Sequence, residues 1–97
     1  MTEAKGIEAR VKRYHELTER ALKKVGIKAE KGSEDFARAT DFIAMTQNYF
    51  NDAKHFEANE EFELALAAFS YAHAWLDAGV RAGFLDGKGD DQLFTLP

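Results

Sequence analysis

The chain of 97 residues has no cysteine and a single proline, Pro97, at its last position. Without cysteine, neither a disulfide framework nor a thiolate metal site can form, and the composition suits a reducing cytosol. With no proline before position 97, nothing breaks a helix from within. No apolar–polar alternation lasts long enough to read as a strand. The opening MTEAKGIEARVKRYHELTER lacks the apolar stretch of a signal peptide. The most apolar run, LALAAFSYAHAWLDAGV (64–80), is shorter than the about 20 residues of a spanning helix and contains His73 and Asp77. A charge near a bilayer centre costs roughly 2.5–3.5 kcal/mol even on the gentler insertion scales. We therefore expect no membrane span and a cytoplasmic protein. There is no phosphate-binding glycine loop and no nucleophile elbow. The segment DGKGDDQ has acids but not the residue order of a calcium loop. No catalytic set, resident metal or cofactor is expected.

What is present is an uneven distribution of charge. The net charge of −4 divides into +4 over residues 1–31 and −8 over residues 32–97. A basic first segment beside an acidic remainder suggests internal complementarity, or a basic face offered to a partner. A chain of this length buries about 60–65% of its unfolded surface and can fold without staples.

Helical spacing of apolar residues predicts three helices, at about 3–25, 34–58 and 60–82. In the first, Ile7, Val11, Tyr14, Ala21 and Val25 form a stripe flanked by Leu17 and Leu22. Gly26 is expected to close it in the left-handed conformation. Ser33 is a suitable N-cap for the second helix, with Glu34 and Asp35 in its first turn. Phe36, Ala39, Ile43, Phe50 and Ala53 make one apolar stripe there, and Phe42, Met45, Tyr49 and Phe56 a second. Asn59 is expected to end this helix in the left-handed conformation and to cap the next. Gly83 can stop the third helix. The short connection at Asn59 forces antiparallel neighbours. The fold expected is all-α, a three-helix up-and-down bundle over residues 1–85. A short tail, 86–97, would follow, in which DGKGDD is an acidic linker and LFTLP a docking segment. Phe84 and Leu85 should finish the core.

The stretch YAHAWLDAGVRAGFLDG (71–87) with the later LFT (93–95), and the stretches YHELTERALKKV and YFNDAKHF, resemble the archaeal family known as domain of unknown function 357. The resemblance runs from about residue 10 to 96. It implies a left-handed, up-and-down three-helix bundle from an archaeal cytosol, and it implies no activity.

Two polar strips and one basic stripe carry the candidate functional groups. Ser70, His73, Asp77 and Arg81 fall on one face of the third helix, spaced so that His73–Asp77 and Asp77–Arg81 are neighbours. Asp77 would then orient His73 as a general base or metal ligand. The plainer expectation is that the strip satisfies itself where the third helix meets the first helix or solvent, with Asp77 anchoring His73 or Arg81. Two ligands fall short of the four of a structural zinc site. Asn48, Asp52 and His55 form a similar strip on the second helix, but His55 and His73 lie roughly 20 Å apart along the bundle. Arg10, Arg13, Arg20 and Lys24 form a basic stripe on the first helix that can follow phosphates. Arg10 and His15 also match the Arg-x4-6-His spacing of helical nucleases, a pattern common by chance.

The third helix has two apolar stripes. Phe62, Ala65, Phe69, Ala72, Leu76 and Val80 form one; Leu64, Ala68, Tyr71, Trp75, Ala78 and Ala82 form the other. A three-helix bundle covers only part of this circumference. The side carrying Tyr71 and Trp75 is therefore expected to be covered by a second chain, most simply in a homodimer, with Ala68, Ala78 and Gly79 permitting close approach. The other candidate cover is the tail, with Leu93, Phe94 and Leu96 over Trp75. The functional expectation is a non-enzymatic module that binds a protein partner or itself. The alternative is a small RNA-associated protein using the basic stripe, and after it an enzyme or metal protein centred on His73 and Asp77.

Overall fold

The computed structural model describes residues 3–97, with side chains from residue 6 onward. Helix α1 spans Glu3–Lys24, α2 Glu34–Ala58 and α3 Phe62–Ala82, each close to the expected bounds. Among the described residues the only other regular elements are two-residue strands, β1 (Gly26–Ile27) and β2 (Leu85–Asp86). The bundle is long and narrow, 49 × 23 × 17 Å. Helix α3 packs most extensively on α2 and next on α1, while α1 and α2 touch least. The most apolar helix is thus the one sandwiched by both others.

Its buried face is the first stripe read above. Ala65, Phe69, Ala72, Leu76 and Val80 are buried. The core divides lengthwise. Val11, Phe50 and Phe69 lead one cluster, near the α2–α3 turn, and Ala21, Leu76, Val80 and Leu85 build the other, near the end of α1. The gap in the α1 stripe between Tyr14 and Ala21 is filled by Thr18, which is fully buried. On α2, buried Thr46 donates from its hydroxyl to Phe42 O at 2.8 Å, its own helix supplying the acceptor.

Caps follow local chemistry in some places and tertiary demand in others. Ser33 Oγ accepts from Phe36 N at 3.0 Å, as its N-cap position requires. Gly83 stops α3 at φ 97°. Asn59 departs from expectation: its φ is −89°, and Glu60 takes the left-handed conformation, φ 61°. Glu61 N–H bonds Phe56 O at 2.9 Å and Glu60 N–H bonds Glu57 O at 3.0 Å. These are the two bonds of a Schellman motif, which puts the left-handed residue one position beyond the helix cap. Nor does Asn59 cap α3, whose N-cap is Glu61 with no side-chain bond.

Gly26 also departs from expectation. It is extended rather than left-handed and pairs antiparallel with Asp86, as Ile27 does with Leu85. Lys28 N–H continues the ladder to Phe84 O at 3.0 Å. The end of α1 thus meets its backbone hydrogen-bonding needs through a distant segment, which a two-residue ladder cannot announce in sequence.

Gly79 was expected to admit a partner helix. It is buried instead, and a Cβ placed there would lie 2.3 Å from Leu85 Cδ1 and 2.8 Å from Leu85 Cγ. Its smallness serves this chain's own packing. Since Leu85 is fully buried, it has little room to yield. Gly79→Ala should cost about 1–3 kcal/mol in chemical denaturation, despite the better helix propensity of alanine; a gain in stability would show that Leu85 can move aside.

Candidate functional site

The polar strip on α3 does not close on itself. His73 Nε2 is 3.9 Å from Asp77 Oδ1, beyond hydrogen-bond reach. Each member except Ser70, which is exposed, turns to the C-terminal segment. His73 Nε2 lies 2.6 Å from Leu93 O, and a carbonyl can only accept, so Nε2 carries a proton. Nδ1 pairs with the Thr18 hydroxyl at 3.0 Å. Asp77 Oδ1 accepts from Thr95 N–H at 2.9 Å, and Arg81 Nη1 donates to Leu96 O at 2.8 Å. Three side chains one helical turn apart therefore hold carbonyl, amide and carbonyl of one arm, residues 90–97. The expectation that Asp77 anchors His73 or Arg81 is replaced by this clamp, because the arm offers unpaired backbone groups where the helix offers side chains.

The arm also holds its own shape through internal hydrogen bonds. Asp90 Oδ1 accepts from Gln92 N–H at 3.0 Å and Leu93 N–H at 3.1 Å, and Phe94 N–H bonds Asp90 O at 3.1 Å. The DGKGDD segment, expected to be a plain linker, is thus a pair of hydrogen-bonded turns. Leu93 and Phe94 are buried against Leu76 and Val80. They lie on the His73 side of α3, away from Trp75, so the arm does not cover the Tyr71–Trp75 face. Asp77→Asn keeps an acceptor for Thr95 N–H but loses its charge. Stability in denaturant should fall by about 1 kcal/mol with the fold intact, and tight stoichiometric zinc binding that vanishes in this variant would contradict a purely structural Asp77.

Asp90 anchors the arm's other end through Lys24 Nζ at 2.8 Å. The hydrogen bond from Lys24 lowers the Asp90 carboxyl below its ordinary 3.8, helped by the Leu93 and Gln92 amides and opposed by desolvation. A depressed folded value means that the contribution to stability is present above the ordinary value and is lost as pH falls through the folded one. The amides of Leu93 and Thr95 should therefore keep their exchange protection at neutral pH and lose part of it only below about pH 4. An Asp90→Asn variant should lack that acid step; an unchanged acid step in the variant would place its origin elsewhere.

This contact also alters the basic stripe. Arg10, Arg13, Arg20 and Lys24 are all exposed, but Lys24 is paired with Asp90. Arg10 shares an open groove of about 810 Å³ with Glu60, Glu61, Phe62 and Glu63. Acids thus flank the stripe at both ends. His15 points away from it: Nδ1 lies 2.7 Å from Glu57 Oε1, and the ring stacks on Phe69 at 5.0 Å. Arg10 and His15 therefore serve different surroundings. His55 bonds Asn59 at 3.2 Å in the α2–α3 turn, separate from His73. Among the described residues no group of three or more His, Asp and Glu converges as a metal site would require.

The remaining candidates line an aromatic seam between α2 and α3. Tyr49 meets Tyr71 edge-on at 4.6 Å, Tyr71 meets Trp75 at 6.2 Å, and Trp75 meets Phe42 at 5.1 Å. Phe42, Tyr71, Ala74, Trp75 and Ala78 form a shallow apolar groove of about 280 Å³. Trp75 Nε1 is buried without an acceptor among the described residues. Sequence reading missed Thr18 and Glu57, the partners of two histidines. A threonine on the α1 apolar stripe was the available signal for the first; for Glu57, which bonds across two helices, there was none.

The helices that build the clamp and the seam correspond to a known family. The family model described as "Protein of unknown function (DUF357)" matches residues 13–85, which include His73, Asp77 and Arg81 and stop short of the arm. No curated protein and no solved structure matches the chain. With α2, α3 and the second half of α1 inside that match, the chain belongs to the DUF357 family of proteins of unknown function.

Proposed function

We propose that this protein is a non-enzymatic helical interaction module of the archaeal cytoplasm. It binds another protein through the outer face of α3, most simply a second copy of itself. The observation that carries this reading is an exposed apolar seam at heptad spacing. Leu64, Ala67, Tyr71, Ala74 and Ala78 all face solvent, and Leu64 and Tyr71 are each 51% exposed. Alternating steps of three and four residues are what one helix presents to another in knobs-into-holes packing. The large residues are few and the small ones many, so a second helix can approach closely.

Charge favours an antiparallel copy. With Tyr71 opposite Ala74 of the partner, Ala67 falls opposite the partner's Ala78. The acidic start of the seam, Glu60 and Glu63, then lies beside the partner's Arg81. Tyr71 meets a small residue, the alanines allow close approach, and acids lie beside a base. Such a pairing is isologous, as a two-fold dimer requires. Light scattering over a concentration series should show a dimer that Ala74→Arg converts to a folded monomer. A monomer at every concentration overturns self-association through this face.

A further inference from the structure

The arm has the features of an exchangeable element. Its anchors all lie within residues 90–97: Asp90 on Lys24, Leu93 O on His73, Thr95 N–H on Asp77 and Leu96 O on Arg81. Leu93 and Phe94 add buried apolar surface. One turn, Gly87–Asp90, joins the arm to the bundle, closed by Asp90 N–H on Gly87 O at 3.0 Å. Both central residues have positive φ, Lys88 at 55° and Gly89 at 72°, the pattern of a type I′ turn. Glycine adopts this freely, but a lysine there is strained. The closed connection is therefore the weakest-fitting part of an otherwise well-satisfied arm. An arm that opened alone would expose Leu93 and Phe94 together with the floor of Leu76 and Val80, so the open state needs an occupant.

We propose that the cleft between α1 and α3, gated by Lys24, His73, Asp77 and Arg81, also accepts the arm of a second copy of this chain. Two copies would exchange residues 90–97 reciprocally. The occupant is set by chemistry: the cleft reads a carboxylate three residues before an adjacent Leu–Phe pair, followed by an amide and a carbonyl. This chain's own arm supplies those groups. Exchange preserves every anchor contact and relieves the Lys88 conformation, at the cost of association. This interface lies on the α1 side of α3, around the helix from the Tyr71 seam; only Arg81 borders both, and the exchange does not require the pairing proposed there.

The test uses the full chain carrying Ala74→Arg, which removes the seam pairing. Lys88→Pro with Gly89→Val forbids positive φ at both turn positions and favours an open connection. The expected result is a doubling of mass in light scattering, with the Leu93 and Thr95 amides still protected from exchange. Adding Phe94→Ala should return the mass to that of a monomer, as should an excess of a synthetic peptide of residues 89–97. Gly89→Val alone serves where the double variant loses its helical circular dichroism. A turn variant that stays monomeric, with its arm open or closed, overturns the proposal. So does a dimer that survives both Phe94→Ala and the peptide.

Discussion

Leu76→Ala is expected to lower the unfolding free energy by about 2–5 kcal/mol, with the upper half of that range favoured by the surroundings. Leu76 is fully buried in α3. The cost of a large-to-small change depends on how far the neighbours can collapse into the void. Here Ala21 and Ala39 are among them, and neither has atoms that can swing inward. Leu85, Leu93 and Phe94 are each held by a short strand or by the clamped arm, so they cannot follow either. A Leu76→Met variant conserves volume and should cost less than about 1.5 kcal/mol. Chemical denaturation separates the two, and a loss below about 1 kcal/mol for the alanine variant would mean that the bundle closes over the gap.

Phe94→Ala is expected to cost about 3–5 kcal/mol, the range of a buried aromatic truncated in a core. The size of the effect tests how the arm relates to the bundle. Phe94 is 3% exposed and shares a cluster with Leu76, Val80 and Leu85. If the arm is part of that core, its loss weakens the whole cooperative unit. If it is an appendage, the arm detaches and the bundle unfolds at nearly its original denaturant concentration, with only the arm's amides losing protection. The contacts favour the first outcome, because the arm supplies two of the buried side chains at this end. A loss below about 1 kcal/mol, with fast exchange confined to residues 90–97, would reduce the arm to an appendage. The main-chain clamp is individually weaker: each hydrogen bond contributes about 0.5–1.5 kcal/mol, rising to about 1.5–3 where a charged group takes part. Phe94 should therefore outweigh Asp77 in any comparison of the two.

The local rules of helices were enough for the three elements, their bounds and the inward face of α3. The period of apolar residues is a property of neighbouring positions, so Phe69, Leu76 and Val80 announce their burial without a partner in view. Ser33 and Gly83 likewise act through backbone groups a few residues away. The family likeness could also be read directly, since it resides in contiguous stretches such as residues 71–87.

What needed the folded chain were the pairings between distant segments. The strip at His73, Asp77 and Arg81 could be read as polar and co-facial. Its role could not, because its partners are backbone groups of residues 93–96, and main-chain donors and acceptors carry no sequence signature. The same reason hid the β1–β2 bridge, which claimed Gly26, and the contact with Leu85 that claimed Gly79. Charge asymmetry between the two parts of the chain hinted at internal pairing, but the choice of Lys24 with Asp90 and His15 with Glu57 depended on helix rotation. Local periodicity fixes which residues face inward. Only the packing of one helix against the others decides which polar groups meet, and here it set His73 and Asp77 against the backbone of the chain's own arm.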